Sequence, residues 1–533
     1  MQKSAVMQDA IFIFFAALII FAVNLPLEFI EFQTRFALFA KYMLHDGVTF
    51  FAKTYQGFYP DYPVTSTILI YICAKIFGKL TPFTAILPTA ITSALILVMI
   101  YKIGALQKRK LGLTAVLFAL LTQVFLSYSR SISLDQYISL FTVICFYAAY
   151  KNFCENKNKF SFIIPLMLVC GFSFRGLLGV VIPSAVLFCF YFYTKNYKNL
   201  VKLILTTILL SVLLNTILLL FAYIHGGINF AKNIIFMQVI GRVQPNYFTN
   251  FIYCFIEIFI VYALSYPIAF SAFLNNFRSI KNPCSKADYL LGALTLWVFI
   301  ILLIFTLVGT VKERYILAII PAISLLSAYM FININNRFSL FVKKITLFLM
   351  FVITALSFSL LTLKLTIYKI SKYFFPTTAF DIILGFLAFL LLISFVLIFY
   401  FKKIRKDFYL LSLGTAAFII INIGIIEPFE FYKESSKIFI QQVISLKKNQ
   451  NHKFVFYQIG PDGLDITFAA NYPKLIKPDF VTDEKTLLIY DKATYFVAKK
   501  ANFDIISENV KEKIQTLFTG NLGHVQCVVF TLK

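Results

Sequence analysis

The sequence predicts a polytopic α-helical membrane protein with a small α/β domain at its C-terminal end, and three observations predict it. Hydrophobic residues make up 60% of the chain and charged residues only 14%, a balance too apolar for a soluble globular domain. Apolar runs of roughly 17 to 25 residues, long enough to cross a hydrocarbon core, recur along most of the chain. Past Glu427 the hydropathy falls and short strand-like runs replace the long apolar ones. The formal charge of +25 is no nucleic-acid signal, because the basic residues sit in short clusters between apolar runs rather than on one soluble face.

In chain order the apolar runs predict helices near Ala10 to Leu27, Pro82 to Tyr101, Leu111 to Ser127, Gln136 to Tyr150, Phe160 to Phe174, Leu177 to Tyr193 and Leu200 to Ile224. Further runs lie near Phe251 to Leu274, Leu290 to Val308, Tyr315 to Ile332, Ile345 to Leu365, Ala379 to Phe401 and Phe408 to Ile426, giving about thirteen transmembrane helices. Alternate connections carry the positive charge: Lys102, Lys108, Arg109 and Lys110; Lys151, Lys157 and Lys159; Lys195, Lys198 and Lys202; Arg278, Lys281 and Lys286; Arg337, Lys343 and Lys344; Lys402, Lys403, Arg405 and Lys406. By the positive-inside rule these connections and the N-terminus are cytoplasmic. An odd number of spans then sends the C-terminal segment to the outer side. Met1 to Leu27 lacks a small-residue cleavage site and is expected to stay as a first helix.

The expected division is residues 1–426 as the membrane domain, including a first outward loop at 28–80, and 427–533 as the α/β domain. Within the latter, strands are expected at Lys453 to Gln458, Thr486 to Tyr490, Tyr495 to Ala498 and Val525 to Thr531. Helices are expected at Ser435 to Lys448 and, capped by Ser507, at Glu508 to Phe518. Phe454, Phe456 and Tyr457 read as core. Of eight cysteines, most fall in or near apolar runs, and the four histidines are scattered without metal-ligand spacing, so neither a disulfide framework nor a structural zinc site is expected, and a divalent-metal requirement stays open. No phosphate-cradling glycine loop is present, and the cytoplasmic connections are too short to fold a nucleotide-sugar domain.

Carboxylates beside hydrocarbon are costly, and Glu28, Glu31, Asp46, Asp61 and Asp135 all fall where helices leave the membrane on the outward side. Chemistry is therefore expected on that side. Arg175, Lys312 and Arg314 place cations at outward helix ends, with Arg35 and Arg242 able to join them. Interfacial snorkelling and lipid-headgroup contact are the other reading of these cations, and plain solvated loops the other reading of the acids.

The ordered motifs resemble a known family. Glu31-Phe32-Gln33-Thr34-Arg35-Phe36-Ala37, continuing through Met43-Leu44 to Gly47, resembles the first outward loop of the ArnT-like and protein O-mannosyltransferase-like glycosyltransferases of the GT-C fold. Tyr59-Pro60-Asp61-Tyr62-Pro63 stands where that family has an acidic-Lys-Pro motif, and Ser129 to Asp135 is similar to its second acidic motif. Phe174-Arg175-Gly176 is similar to its Lys-Gly or Arg-Gly element, Phe236 to Val243 resembles a loop ending in Arg-Phe, and Lys312 to Leu317 with Pro321 resembles its Arg-Tyr-Leu-Leu-Pro segment. Three positions depart from the pattern. Phe32 occupies the family's acid position with Glu31 one residue earlier, Tyr62 replaces the lysine, and Gln238 stands where an acid is often found.

The resemblance implies a sugar moved from a polyprenyl-phosphate carrier to lipid A or another envelope glycan, on the periplasmic face of the bacterial inner membrane, by an inverting single displacement. It also implies Glu31, Asp61 and Asp135 as catalytic acids and Arg35, Tyr62, Arg175, Arg242, Lys312 and Arg314 as donor-phosphate ligands, and it places the C-terminal domain in the periplasm. Protein O-glycosylation within the same fold is the alternative, and lipid or glycan transport without chemistry the competing class.

Overall fold

Backbone amides and carbonyls find no partner in hydrocarbon, so apolar runs must satisfy them internally, and every run named above contains helix. The computed structural model describes residues 2–533 except 239, 243–246, 308–310, 367–377, 401–405, 447–452, 461–462 and 492–493, and excludes the side chains of residues 2, 3, 61, 62, 242 and 247. Among the described residues, eight helices are long and apolar enough to cross a membrane, or ten spans if each of two bent pairs counts once. The bent pairs are Arg109–Leu120 with Gln123–Ser129, at 78°, and Phe248–Val261 with Ser265–Asn275, at 110°. The rest of the expected thirteen are Leu134–Glu155, Ile163–Arg175 and Leu178–Tyr193. The last two have only 13 and 16 residues, and the first buries Asp135, Gln136, Ser139 and Thr142.

The chain forms two compact units. The first comprises Met1–Val23, Pro60–Ser66 and Ile86–Ile426; the second comprises Asn24–Tyr59, Thr67–Ala85 and Glu427–Lys533. Most of the expected first outward loop thus groups with the C-terminal residues rather than with the helices.

In the first unit, close packing depends on small residues. Gly171 and Gly179 face each other across the helices Ile163–Arg175 and Leu178–Tyr193, where a Cβ on either would lie about 2 Å from the other's carbonyl oxygen (2.1 and 1.9 Å). The two backbones touch there, which fixes the end of the helix that carries Arg175. Trp297, fully buried, donates its indole N–H to the Ala318 carbonyl at 2.9 Å and ties the helix Lys286–Thr306 to the 3-10 turn Glu313–Ile319. That turn passes into the α-helix Ile320–Ile332, and Pro321 sits in the first helical turn, where its missing amide leaves no bond unmade. The helix expected from Tyr315 therefore begins as a tighter turn.

The helix near Leu200 to Ile224 extends as Tyr197–Gln238, broken at Gly227 (φ 70°), so its 42 residues are two helices and not one. Its outer face carries Leu205, Leu209 and Val212 at 62% exposure or more, which lipid tolerates and water does not. Lys364 and Asp381 form a buried ion pair at 2.8 Å, and the Lys364 ammonium also donates to the Gly424 carbonyl at 2.9 Å. The pair meets the cost of placing charge between apolar helices.

The second unit holds a two-stranded sheet, β1 (Phe51–Thr54) with β2 (Gly57–Pro63), whose second strand runs on into the first unit, and a five-stranded sheet. The latter uses β3 (Lys453–Tyr457), β4 (Asp479–Val481), β5 (Thr494–Lys499), β6 (Ile514–Leu522) and β7 (Val525–Leu532) in the order β4-β3-β5-β7-β6. β3 is parallel to β4 and β5, and β7 is antiparallel to β5 and β6. Both faces are apolar: Phe454 and Phe456 join one cluster, Val455 and Tyr457 the other. A sheet covered on both sides shows no polar alternation, as these residues do not.

Two expected elements differ. Thr486 to Tyr490 is no strand, because the Asp483 carboxylate accepts the Thr486 amide at 3.3 Å and caps the short helix Glu484–Leu487. The helix after Ser507 stops at Lys511, since Ile514–Leu522 pairs with β7 instead.

The first-loop helix Gln33–Asp46 packs on the C-terminal helix Leu464–Asn471. Phe29 and Asn471 exchange reciprocal hydrogen bonds at 2.9 and 2.8 Å, and Tyr55 donates to the Asp465 carboxylate.

Candidate active site

Asp135 stands in the first turn of the helix Leu134–Glu155, where the amides of a helix N-terminus favour a carboxylate. Arg175 closes the neighbouring helix Ile163–Arg175, and Gly176 follows it at φ +61°, a conformation that ends the helix at that residue. Arg314 lies in the 3-10 turn Glu313–Ile319. These three side chains meet. Arg175 Nε is 3.2 Å from Asp135 Oδ1 and Arg314 Nε is 3.8 Å from Asp135 Oδ2, so the two guanidiniums straddle one carboxylate. Asp135 is 9% and Arg175 4% exposed.

Tyr315 completes the group, with the Arg175 and Arg314 guanidinium carbons 5.4 and 5.5 Å from its ring centroid. An aromatic face in contact with both cations holds them near each other despite their repulsion. The acid of that turn, Glu313, accepts a hydrogen bond from Tyr128 at 3.0 Å, and its backbone carbonyl accepts one from Tyr262 at 2.7 Å. These bonds fix the turn that presents Arg314. Next to Arg175, Gly176 approaches Gln238 so closely that a Cβ would lie 2.7 Å from its Oε1. A gap of only about 10 Å³, room for a single water, lies beside the cluster, lined by Asp135, Arg175, Leu178, Phe305 and Tyr315 among others.

Glu31 (φ 47°) and Arg35 belong to the second unit, where the Glu31 carbonyl accepts the Thr34 hydroxyl at 2.6 Å and Arg35 donates to the Tyr59 hydroxyl at 2.6 Å. Lys312 is exposed at the N-cap of the Arg314 turn. The side chains of Asp61, Tyr62 and Arg242 lie outside the described residues. Arg130, inside the second acidic motif, donates to the carbonyls of Ile20 and Val23 and so closes the first helix. Glu28 accepts hydrogen bonds from the Ser435 hydroxyl and, at 2.9 Å, from the Ser436 amide; burial outweighs these bonds and raises its pKa. Its carboxylate is occupied within the second unit. Among the described residues no group of three or more histidine, cysteine or acidic side chains is arranged to hold a metal.

Tyr315, Tyr128 and Tyr262 were not among the residues expected from sequence. Tyr315 sits inside the motif of Arg314, but nothing in its spacing marks it as a bridge between cations. Chemically, two guanidiniums against one carboxylate leave one net positive charge in a nearly dry setting, suited to an anionic oxygen. The carboxylate can orient a hydroxyl or take its proton.

Residues 61–222, which include Asp135 and Arg175, match the family model for dolichyl-phosphate-mannose-protein mannosyltransferase. The fold matches a crystal structure of ArnT from Cupriavidus metallidurans bound to undecaprenyl phosphate with a TM-score of 0.70, at 12% identity, over 99% of this chain and 97% of that one. The apo form of the same protein matches with a TM-score of 0.68, at 13% identity, over 99% and 98%. No curated protein matches the sequence. The chain has the GT-C fold in its ArnT-like form, many helices followed by a small C-terminal sheet domain.

Proposed function

We propose that this GT-C chain is an integral-membrane glycosyltransferase that moves a sugar from a polyprenyl-phosphate carrier to lipid A or another envelope glycan. The observation that carries the reading is the buried Asp135 carboxylate between Arg175 and Arg314, with Tyr315 against both cations. The undecaprenyl phosphate bound to the similar ArnT supports a lipid-phosphate donor. On this reading the work is done at the periplasmic face of the bacterial inner membrane, with the N-terminus cytoplasmic and the C-terminal domain periplasmic. The alternation of basic connections supports that orientation.

The reaction is an inverting single displacement. The acceptor oxygen forms a bond to the anomeric carbon as the bond from that carbon to the phosphate oxygen breaks, and the lipid phosphate leaves with the electron pair. Phosphate is already a competent leaving group, so fixed cations serve it better than a strong general acid. Arg175 and Arg314 hold the departing oxygens. Asp135 keeps the two cations in place and favours positive charge developing on the sugar. An ionised phosphate acceptor needs no base, whereas a hydroxyl acceptor passes its proton to a carboxylate.

A protein hydroxyl as acceptor is the second reading, favoured by the family-model match over residues 61–222. Mass spectrometry of lipid A, envelope glycans and glycoproteins from isogenic cells separates the two. Asp135→Asn and Arg175→Ala, each confirmed in the membrane, are expected to lose one defined sugar from the same acceptor. Unchanged glycans despite a functional wild-type gene would favour transport.

A further inference from the structure

We propose that the cleft among the helices Arg337–Thr366, Ala379–Tyr400 and Lys406–Ile421 is a binding site for an anionic glycerophospholipid. It shares no residue with the Asp135 cluster and does not depend on glycosyl transfer.

The cleft encloses about 700 Å³. Lys343 and Lys344 lie in the second turn of the first helix, Lys406 opens the third, and Tyr400 closes the second, so all of the lysines gather where three helix ends come together. Asp407 pairs with Lys343. Lys343, Lys344 and Lys406 against one aspartate leave a positive surplus. Away from the lysines the walls are apolar, formed by Phe351, Phe395 and Val396 among others. From Lys343 to Phe351 the helix rises about 12 Å, enough to lay an acyl chain along it.

Phe399, 63% exposed, faces outward from the helices, so the cleft opens to the surroundings and not to a closed core. An amphiphile with its phosphate at the lysines and its tail on the aromatic wall satisfies both halves. Soluble phosphate leaves the apolar wall uncovered, and a zwitterionic lipid brings no net charge to the lysines. Basic clefts between membrane helices on the cytoplasmic side select anionic headgroups for this reason. The lysines here belong to the connections that the charge alternation assigns to that side.

The test is native mass spectrometry of the full-length protein in neutral detergent, with equal amounts of phosphatidylglycerol and phosphatidylcholine. The wild type is expected to retain phosphatidylglycerol preferentially. Lys344→Ala and Lys406→Ala should each lower that preference about five-fold. Val396→Trp, which fills the cleft and keeps every charge, should lower retention as well. A double variant of the remote lysines, Lys157→Ala with Lys159→Ala, should leave the preference unchanged. Any of four results overturns the proposal: no headgroup preference in the wild type, an equal loss in the remote variant, unaltered retention in Val396→Trp, or displacement of phosphatidylglycerol by equimolar undecaprenyl phosphate.

Discussion

Lys41 shows how burial sets the behaviour of a single charge in this protein. Its amine donates to the Ala469 carbonyl at 2.9 Å and to that of Tyr472, and burial lowers its pKa from 10.5 to about 8. Between those values the unfolded chain binds more protons than the native one, so the native state gains stability as pH rises from 8 to 10.5 and loses it as pH falls back through 8. A neutral amine keeps two N–H donors, so both carbonyls remain served. Hydrogen exchange in the helix Leu464–Asn471 of the full-length protein, compared at each pH with Lys41→Met, is expected to show wild-type protection growing across that window. Identical pH profiles would remove Lys41 from the linkage. The same contrast separates the acids. Glu28 is taken up by Ser435 and Ser436, whereas Asp135 faces two arginines. Sequence placed both near the membrane edge, because cost to hydrocarbon is legible from position, but which carboxylate is occupied depends on partners about 400 residues away.

Helices and turns determine where the arginines point. Gly176 combines φ +61° with the close approach to Gln238, so Gly176→Ala adds both a backbone penalty and a clash. A destabilisation of about 1–3 kcal/mol is expected from the backbone alone, together with a loss of sugar transfer as the end of the Arg175 helix shifts. Thermal unfolding and glycan analysis of the variant check this, and wild-type values in both would show that the turn tolerates a side chain. Most elements were legible because hydrocarbon forces apolar runs into helices. The exceptions have local causes. Pro321 and Trp297 accompany a 3-10 turn where α-helix was expected, Gly227 breaks the long helix, and Asp483 turns Thr486 into a cap. The Lys364–Asp381 pair went unmarked, since each charge lies near the end of its own apolar run and their meeting is a matter of packing.

For the molecule as a whole, apolar composition and the recurring apolar runs carried the class, the segregation of charge along the chain carried the expected sidedness, and the order of weak motifs carried the GT-C fold. What sequence did not carry is the grouping of Asn24–Tyr59 with Glu427–Lys533, which rests on pairs such as Phe29 with Asn471, far apart in the chain and individually unremarkable. The same holds for the cluster itself: Asp135, Arg175 and Arg314 were each legible as charges at helix ends, but the convergence of the two arginines on Asp135 and Tyr315 needed the folded bundle. The central claim is that this cluster receives the phosphate of a polyprenyl carrier. Titration of undecaprenyl phosphate into purified full-length wild type and Arg314→Ala tests it most directly. At least tenfold weaker binding in the variant, a loss of about 1.4 kcal/mol, is the predicted result, and equal affinity of the two proteins would contradict the account.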